Sequence, residues 1–282
     1  MQWATIGALD TGNGEKLPMP DLARIMLTLR PTHQDTVPAW TGRAAHAWFL
    51  QALQHINPAL SERLHDMQGV KPMTFSGLQP APDGELLTLH PARPLWLRIT
   101  TLHPDLTNIT LNGLAPQWEG AAITLHDQPL QVESMALETA TYSDLVEAFR
   151  HKKLRRYIRF KFITPTFFKS RGLQIPLPSP ELVFGSLLQR WQTFSTVGIG
   201  IDDFKDFMHQ KITIDQHNIH TRKISFARGQ RGYTRGFVGE VTFFSQAKEQ
   251  AYLAAWHTLA AFGAYSSVGA QTSYGLGQIE VI

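Results

Sequence analysis

Apolar and polar positions along this chain fall into two successive patterns of strand and helix. Leu22 to Leu29 (LARIMLTL) is an apolar run of strand length, closed by a loop from Arg30 to Trp40 that holds two prolines. From Gly42 to Ile56, Ala45, Trp48, Phe49, Ala52, Leu53 and Ile56 gather on one side at helical spacing, while Gln51 and Gln54 turn away. Thr41 is expected to cap this helix and Asn57-Pro58 to stop it. His46 and His55 fall on the two margins of its apolar face, where a side chain rests partly on the core and keeps its tip at the surface. Val70 to Leu78 and Leu86 to Leu102 alternate as two or three strands. Pro104 to Leu114 is expected to be a short helix and Ala121 to Thr139 a hairpin.

The second half follows the same order without repeating the sequence. After a short helix or linker at Tyr142 to His151 comes a strand at Arg155 to Phe162. Ser179-Pro180 supplies a cap and an N1 proline for a helix whose stripe is Phe184, Leu187, Leu188, Trp191 and Phe194. Strands are expected at Lys211 to Ile214, Thr221 to Phe226 and Arg235 to Phe244, then a helix from Ser245 to Phe262 with Gly263 at its C′ position, and a last strand after Gly277. Strand, helix, strands, helix, strand is the βαββαβ order. The expected fold is therefore α+β, two tandem ferredoxin-like (RRM-like) domains at 1–141 and 155–282 joined by a linker at 142–154.

At 282 residues, with 43% apolar and 10% aromatic content, each half can bury a core. The chain has no cysteine, which removes disulfides, thiolate zinc sites and cysteine nucleophiles. No stretch has the roughly 20 apolar residues of a membrane span, and the N-terminus lacks a signal-peptide pattern, so a cytoplasmic protein without membrane contact is expected. No cluster of Asp, Glu and His stands at metal-ligand spacing, and neither a metal nor a cofactor is expected.

The net charge is only +3, but its distribution is uneven. Between Ala148 and Pro180 there is no acid, while Arg150, Lys152, Lys153, Arg155, Arg156, Arg159 and Lys161 all fall there. Period-two alternation puts Arg155, Tyr157, Arg159 and Lys161 on one face of a strand and mostly apolar residues on the other. A basic front with one aromatic suits phosphate contact and base stacking; the plainer alternative is a solvated strand face. Gln216 to Gly239 is also free of acids and adds Arg222, Lys223, Arg228, Arg231 and Arg235. The run from Gly263 to Gly277 (GAYSSVGAQTSYGLG) is neither helix nor strand by composition. It matches neither phosphate-loop pattern, and it reads either as a plain loop or as a backbone cradle for a polynucleotide through Gly269, Gly275 and Gly277.

Four stretches carry a resemblance: GRAAHAWFL at Gly42 to Leu50, KPMTFSGL at Lys71 to Leu78, Phe162 to Trp191, and Gly236 to Gly277 with its ending SVGAQTSYGLGQ. With these the chain resembles the CRISPR-associated endoribonucleases of the RAMP superfamily, which cut precursor CRISPR RNA. The resemblance implies tandem RRM-like domains, repeat RNA held by the glycine loop and a basic cleft, and metal-independent cleavage. It leaves open partnership with other CRISPR-complex subunits and a homodimer.

In such cleavage the RNA's own 2′-OH attacks, leaving 2′,3′-cyclic phosphate and 5′-OH ends, so the enzyme supplies a base, an acid and a cation. His46 aligns with the family's helix histidine. His33, in the loop where some relatives carry tyrosine, is the second candidate. The family's lysine about two turns after the histidine is missing, Ala52 and Leu53 standing there, which leaves its charge to Arg43 or to a residue of the second domain. Two other classes compete: a RAMP protein that binds guide RNA without cutting, and a metabolic enzyme of ferredoxin-like fold with a small anionic substrate.

Overall fold

The computed structural model describes residues 19–225 and 233–282. Strand β1 (Leu22–Pro31) and the short β2 (Asp35–Pro38) precede helices α1 (Gly42–Ile56) and α2 (Pro58–Asp66). Strands β3 (Met73–Gln79), β4 (Leu86–Leu89) and β5 (Leu95–Thr101) lead to helix α3 (Pro104–Ile109), which continues into a π turn and a 3-10 turn. Hairpin β6 (Ala122–Leu125) and β7 (Gln128–Ala140) closes the first unit. Helix α4 (Tyr142–Arg150) follows, then β8 (Tyr157–Thr166), β9 (Phe168–Ser170), β10 (Leu173–Ile175), α5 (Pro180–Phe194) and α6 (Phe204–Lys211). The chain ends with β11 (Ile212–Ile224), β12 (Thr234–Ser245), α7 (Gln250–Ser266), a 3-10 turn at Thr272–Tyr274, and β13 (Ile279–Val281).

The sheets run β3-β5-β1-β7-β6 and β11-β12-β8-β13, all neighbours antiparallel. In each the first strand of the unit lies beside both its third and its last, as the ferredoxin-like βαββαβ order requires. Leu27, Phe75, Leu97 and Ile99 meet Ala45, Phe49 and Leu53 of α1 in one core; Ile158, Phe160 and Phe162 meet Phe184, Leu187 and Trp256 in the other. The expected linker is part of the second core, because Tyr142 and Val146 of α4 pack there with Trp191 and Phe262.

Several local expectations change. Thr41 makes no cap bond to α1; its Oγ1 accepts the Leu78 amide of β3 at 2.6 Å. Helix α7 runs past Gly263 to Ser266, because Gly263 is needed inside the last turn, where a Cβ would lie 2.6 Å from the Ile279 side chain of β13. The two strands expected between 211 and 226 are one long strand, β11, with a bulge between Ile214 and Gln216.

The two units are joined by polar contacts. Thr74 of β3 bonds Thr100 (2.7 Å), Ser267 (3.1 Å) and the amide of Gln278 (3.1 Å). Arg98, 1% exposed, reaches Glu280 at 2.7 Å and the carbonyl of Ile279 at 3.4 Å. Trp40 Nε1 donates to the Tyr274 carbonyl at 3.0 Å. Helix α7 lies against β1, β3 and β5, so the first sheet is covered on both faces where it meets the second unit.

Candidate active site

Helix α1 and the glycine-rich segment meet along Gly42 and Gly275. A Cβ on Gly42 would lie 2.7 Å from Gly275 Cα and closer still to the Tyr274 carbonyl, and Gly275 has φ +95°. This close approach sets Tyr274 over His46, whose ring stands edge-on to Tyr274 (centroids 5.1 Å apart) and to Phe75 of β3 (5.8 Å). His46 is 7% exposed, and its Nε2 is buried without a hydrogen-bond partner among the described residues. Burial first, then the positive charges of Lys71 and His65, push its pKa down to about 4. The imidazole is therefore neutral at neutral pH and able to accept a proton.

Lys71 and Tyr274, beside His46, and Arg190, on the wall of the adjoining cleft, escaped the sequence reading. Lys71, ahead of β3, donates to the carbonyls of Leu64 and His65 at the end of α2, and burial lowers its pKa. It lies inside a stretch that carried the family resemblance, yet nothing in its spacing links it to a histidine 25 positions earlier (His46, Lys71). Tyr274 is the one aromatic residue between Gly269 and Gly277, a signal that was available. Arg190 interrupts the apolar stripe of α5. Lys71, Tyr274 and Arg190 share the wall of a cleft of about 610 Å³, bounded by the α2–β3 loop, β9, α5 and the glycine segment.

Arg43 is exposed and stacks its guanidinium 5.5 Å from the centre of the Tyr274 ring, beside His46. His33 is elsewhere. It sits on the turn after β1, bonded to Thr32, which is tied to Pro129 of β7, whereas His46 lies over the opposite edge strand β3.

The glycine segment does not present an open cradle. Amides of Val268, Ala270, Leu276 and Gly277 go to carbonyls of Gly277, Phe167, Gln271 and Pro165, and Gly269 N bonds Ser186 Oγ at 2.9 Å. A Cβ on Gly277 would overlap the Val268 carbonyl, and one on Gly269 would lie 2.5 Å from that of Phe167. These glycines let the chain lie against its own backbone.

The basic strand is also different in three dimensions. Arg159 pairs with Glu240 of β12 at 3.1 Å, and Lys161 lies in register between Glu240 and Glu280. The window is free of acid in sequence only, since neighbouring strands return the missing sign. Tyr157 is half exposed and packs on Phe244 (4.8 Å), which Arg156 covers from 4.6 Å. Arg150 pairs with Glu147 at 2.9 Å and Lys152 sits over Phe149, while Lys153 and Arg155 are exposed. Tyr157 lies about 30 Å along β8 from Thr166, the end that meets the glycine segment.

Arg222 is engaged inside the protein, with Asp83 at 2.5 Å and the carbonyls of Ala81 and Pro82. Lys223 and Arg235 flank the Tyr233 ring at 5.0 and 4.5 Å. Arg228 and Arg231 lie outside the described residues. Among the described residues no three of His, Asp and Glu are grouped to hold a metal ion, and no helix is long and apolar enough to cross a membrane.

Residues 160–279 match the family model of the CRISPR-associated endoribonuclease Cas6, and residues 19–120 match that of the Cas6 N-terminal domain. The chain belongs to the Cas6 family. A Cas6 of Streptococcus thermophilus is 32% identical over 163 residues, 56% of this chain and 65% of that protein. A Cas6 of Mycobacterium tuberculosis is 28% identical over 153 residues, 54% of this chain and 47% of that one. The matched stretches thus span less than two-thirds of these Cas6 proteins. A solved Cas6 product complex superposes with TM-score 0.73 at 25% identity, covering 93% of this chain and 100% of that one. The Cas6 glycine segment and helix α1 are therefore the frame in which His46, Tyr274 and Lys71 come together.

Proposed function

We propose that the protein is a metal-independent endoribonuclease that cleaves precursor CRISPR RNA within its repeats. The observation that carries the reading is His46, neutral and with a buried nitrogen that has no partner among the described residues, held under Tyr274 at the seam of the two units. The neutral imidazole takes the proton of the ribose 2′-OH. The freed 2′-oxygen attacks the adjacent phosphorus, the bond to the 5′-oxygen breaks, and that oxygen leaves with a proton from water, whose hydroxide takes back the proton held by His46. The products are a 2′,3′-cyclic phosphate and a 5′-OH. Lys71, from an element other than the helix on which the family's lysine was sought, supplies positive charge at the crowded phosphate, with Arg43 stacked on Tyr274. Since RNA brings its own nucleophile, the route requires no metal-activated water.

The basic residues from Arg150 to Lys161, with Lys223 and Arg235, are the proposed contacts to the rest of the RNA, reached by an extended strand because of the length of β8. Incubation of repeat RNA with the protein in EDTA, followed by mapping of the new ends, tests the reading. Cyclic phosphate and 5′-OH ends that disappear in His46→Ala are expected. Intact RNA under all conditions would instead leave a binding protein, and RNA affinity independent of salt would remove the polynucleotide altogether.

A further inference from the structure

The cleft beside Tyr274 has an unusual electrostatic make-up. Lys71 of the first unit and Lys169 and Arg190 of the second line it against a single carboxylate, Glu181, which lies 3.7 Å from His209. Arg190 is 5% exposed and forms no ion pair among the described residues. Its two terminal nitrogens bond Ser186 O and Oγ, the Gly269 carbonyl and Thr272 Oγ1 at 2.6 to 3.3 Å, and its Nε is buried without a partner among the described residues. Holding the glycine segment to α5 would require donors but no charge. A buried guanidinium without a counter-ion is costly unless an anion completes it, and the open side of this one is the cleft.

The volume, about 610 Å³, is that of a pocket for one nucleotide-sized ligand. An A-form duplex is too wide to enter it. We propose that this cleft is an anion subsite for an unpaired nucleotide of the RNA strand flanking the cut, with Lys169 contacting its phosphate and Arg190 supplying the underlying positive potential. The proposal rests on the endoribonuclease reading for what the nucleotide flanks, but not for the binding itself.

Lys169 is exposed on β9 and engaged in no ion pair among the described residues, so its replacement should leave the fold intact. The test is fluorescence polarisation with a short labelled oligouridylate over a salt series, for the wild type, Lys169→Ala and Lys169→Glu. Lys248→Ala removes an equal charge from an exposed lysine outside the cleft and serves as control. Both Lys169 variants should bind the single strand several-fold more weakly. The log–log salt slope should become shallower by about 0.7, one phosphate's worth for a single strand. The control should do neither, and a blunt RNA duplex should bind all four proteins alike.

Equal single-strand binding by Lys169→Ala and the control overturns the subsite, as does an equal loss on duplex. If that happens while His46→Ala still abolishes cutting, the endoribonuclease reading stands alone. If Lys169 matters for binding but the wild type cuts no RNA, the subsite stands and the cutting reading falls. If the wild type neither binds nor cuts, both fall.

Discussion

Gly42→Ala separates two physical arguments by the sign of its effect. Gly42 is the first residue of α1, and helix propensity alone predicts a gain of up to about 1 kcal/mol for the substitution. The packing predicts the reverse. The new Cβ would lie 2.7 Å from Gly275 Cα, against about 3.5 Å for an ordinary carbon contact. Helix and glycine segment must part by roughly 1 Å, and overpacking of that kind costs about 1–3 kcal/mol. At this chain length that is a fall in Tm of a few degrees. Because Tyr274 is the residue beside the clash, the same displacement moves it off His46, and misplacement by about 1 Å can lower a rate about 100-fold. Thermal unfolding and single-turnover RNA cleavage on the same preparation read both effects. An unchanged or raised Tm with wild-type cleavage would show that the two segments are not held as described.

Four further outcomes follow from other contacts. The acid limb of the cleavage rate should lie near pH 4 rather than near the ordinary histidine value of 6.5, because His46 stays neutral until then; a tenfold fall between pH 7 and 5.5 would contradict its burial. The same shift makes His46 destabilise the fold increasingly as pH drops from 6.5 through 4, by on the order of 3 kcal/mol, since the unfolded chain binds the proton first. His46→Gln should flatten that part of the wild-type stability curve in urea titrations. Thr41→Val should cost about 1–3 kcal/mol by orphaning the Leu78 amide, without loss of α1 helicity in circular dichroism. Glu280→Gln should cost about 1–2 kcal/mol in the same titrations, because Arg98 keeps its buried charge, with Arg24 nearby, and loses the carboxylate; no change would mean the pair adds nothing to the seam.

What could be read from the chain followed the range of the interaction. Helix α1 shows its bounds in sequence because its stripe, Ala45 to Leu53, and its stop at Asn57-Pro58 are local. The βαββαβ order is visible for the same reason, whereas His46, expected on a helix margin with its tip at the surface, is buried, because Tyr274 of the second unit packs over it. Edge strand β11 lost its middle in the reading, because exposure on both sides removes the alternation that marks a strand. The basic ribbon looked unopposed because Glu240 and Glu280 reach Arg159 and Lys161 from strands far along the chain. Arg222 looked free because its partner Asp83 is 139 positions away (Asp83, Arg222). Lys71 and Tyr274 became part of the His46 site only when two separate units docked.

That docking also explains the glycines. A cradle for phosphate would leave their amides open, whereas here those of Gly269, Gly275 and Gly277 close on Ser186, Thr272 and Pro165, and the space a side chain would fill holds backbone. The segment is an adhesive strip that lets β3 be buried along its whole length, on one face by α1 and on the other by the second unit. Beside an apolar cluster of Trp40 with Phe167, Ile224 and Leu276, the strip makes buried polar contacts through Thr74, Thr100, Ser267, Gln278 and Arg98. Buried polar groups favour one register strongly, since a slipped interface would leave each of them unpaired, at a cost of about 1–3 kcal/mol per group. An apolar seam could slide by a residue and keep most of its burial; this one cannot. The position of Tyr274 over His46 is thus fixed by bonds that lie outside the site. Either unit alone would carry only half of the constellation: His46 and Lys71 on one, Tyr274 and Arg190 on the other.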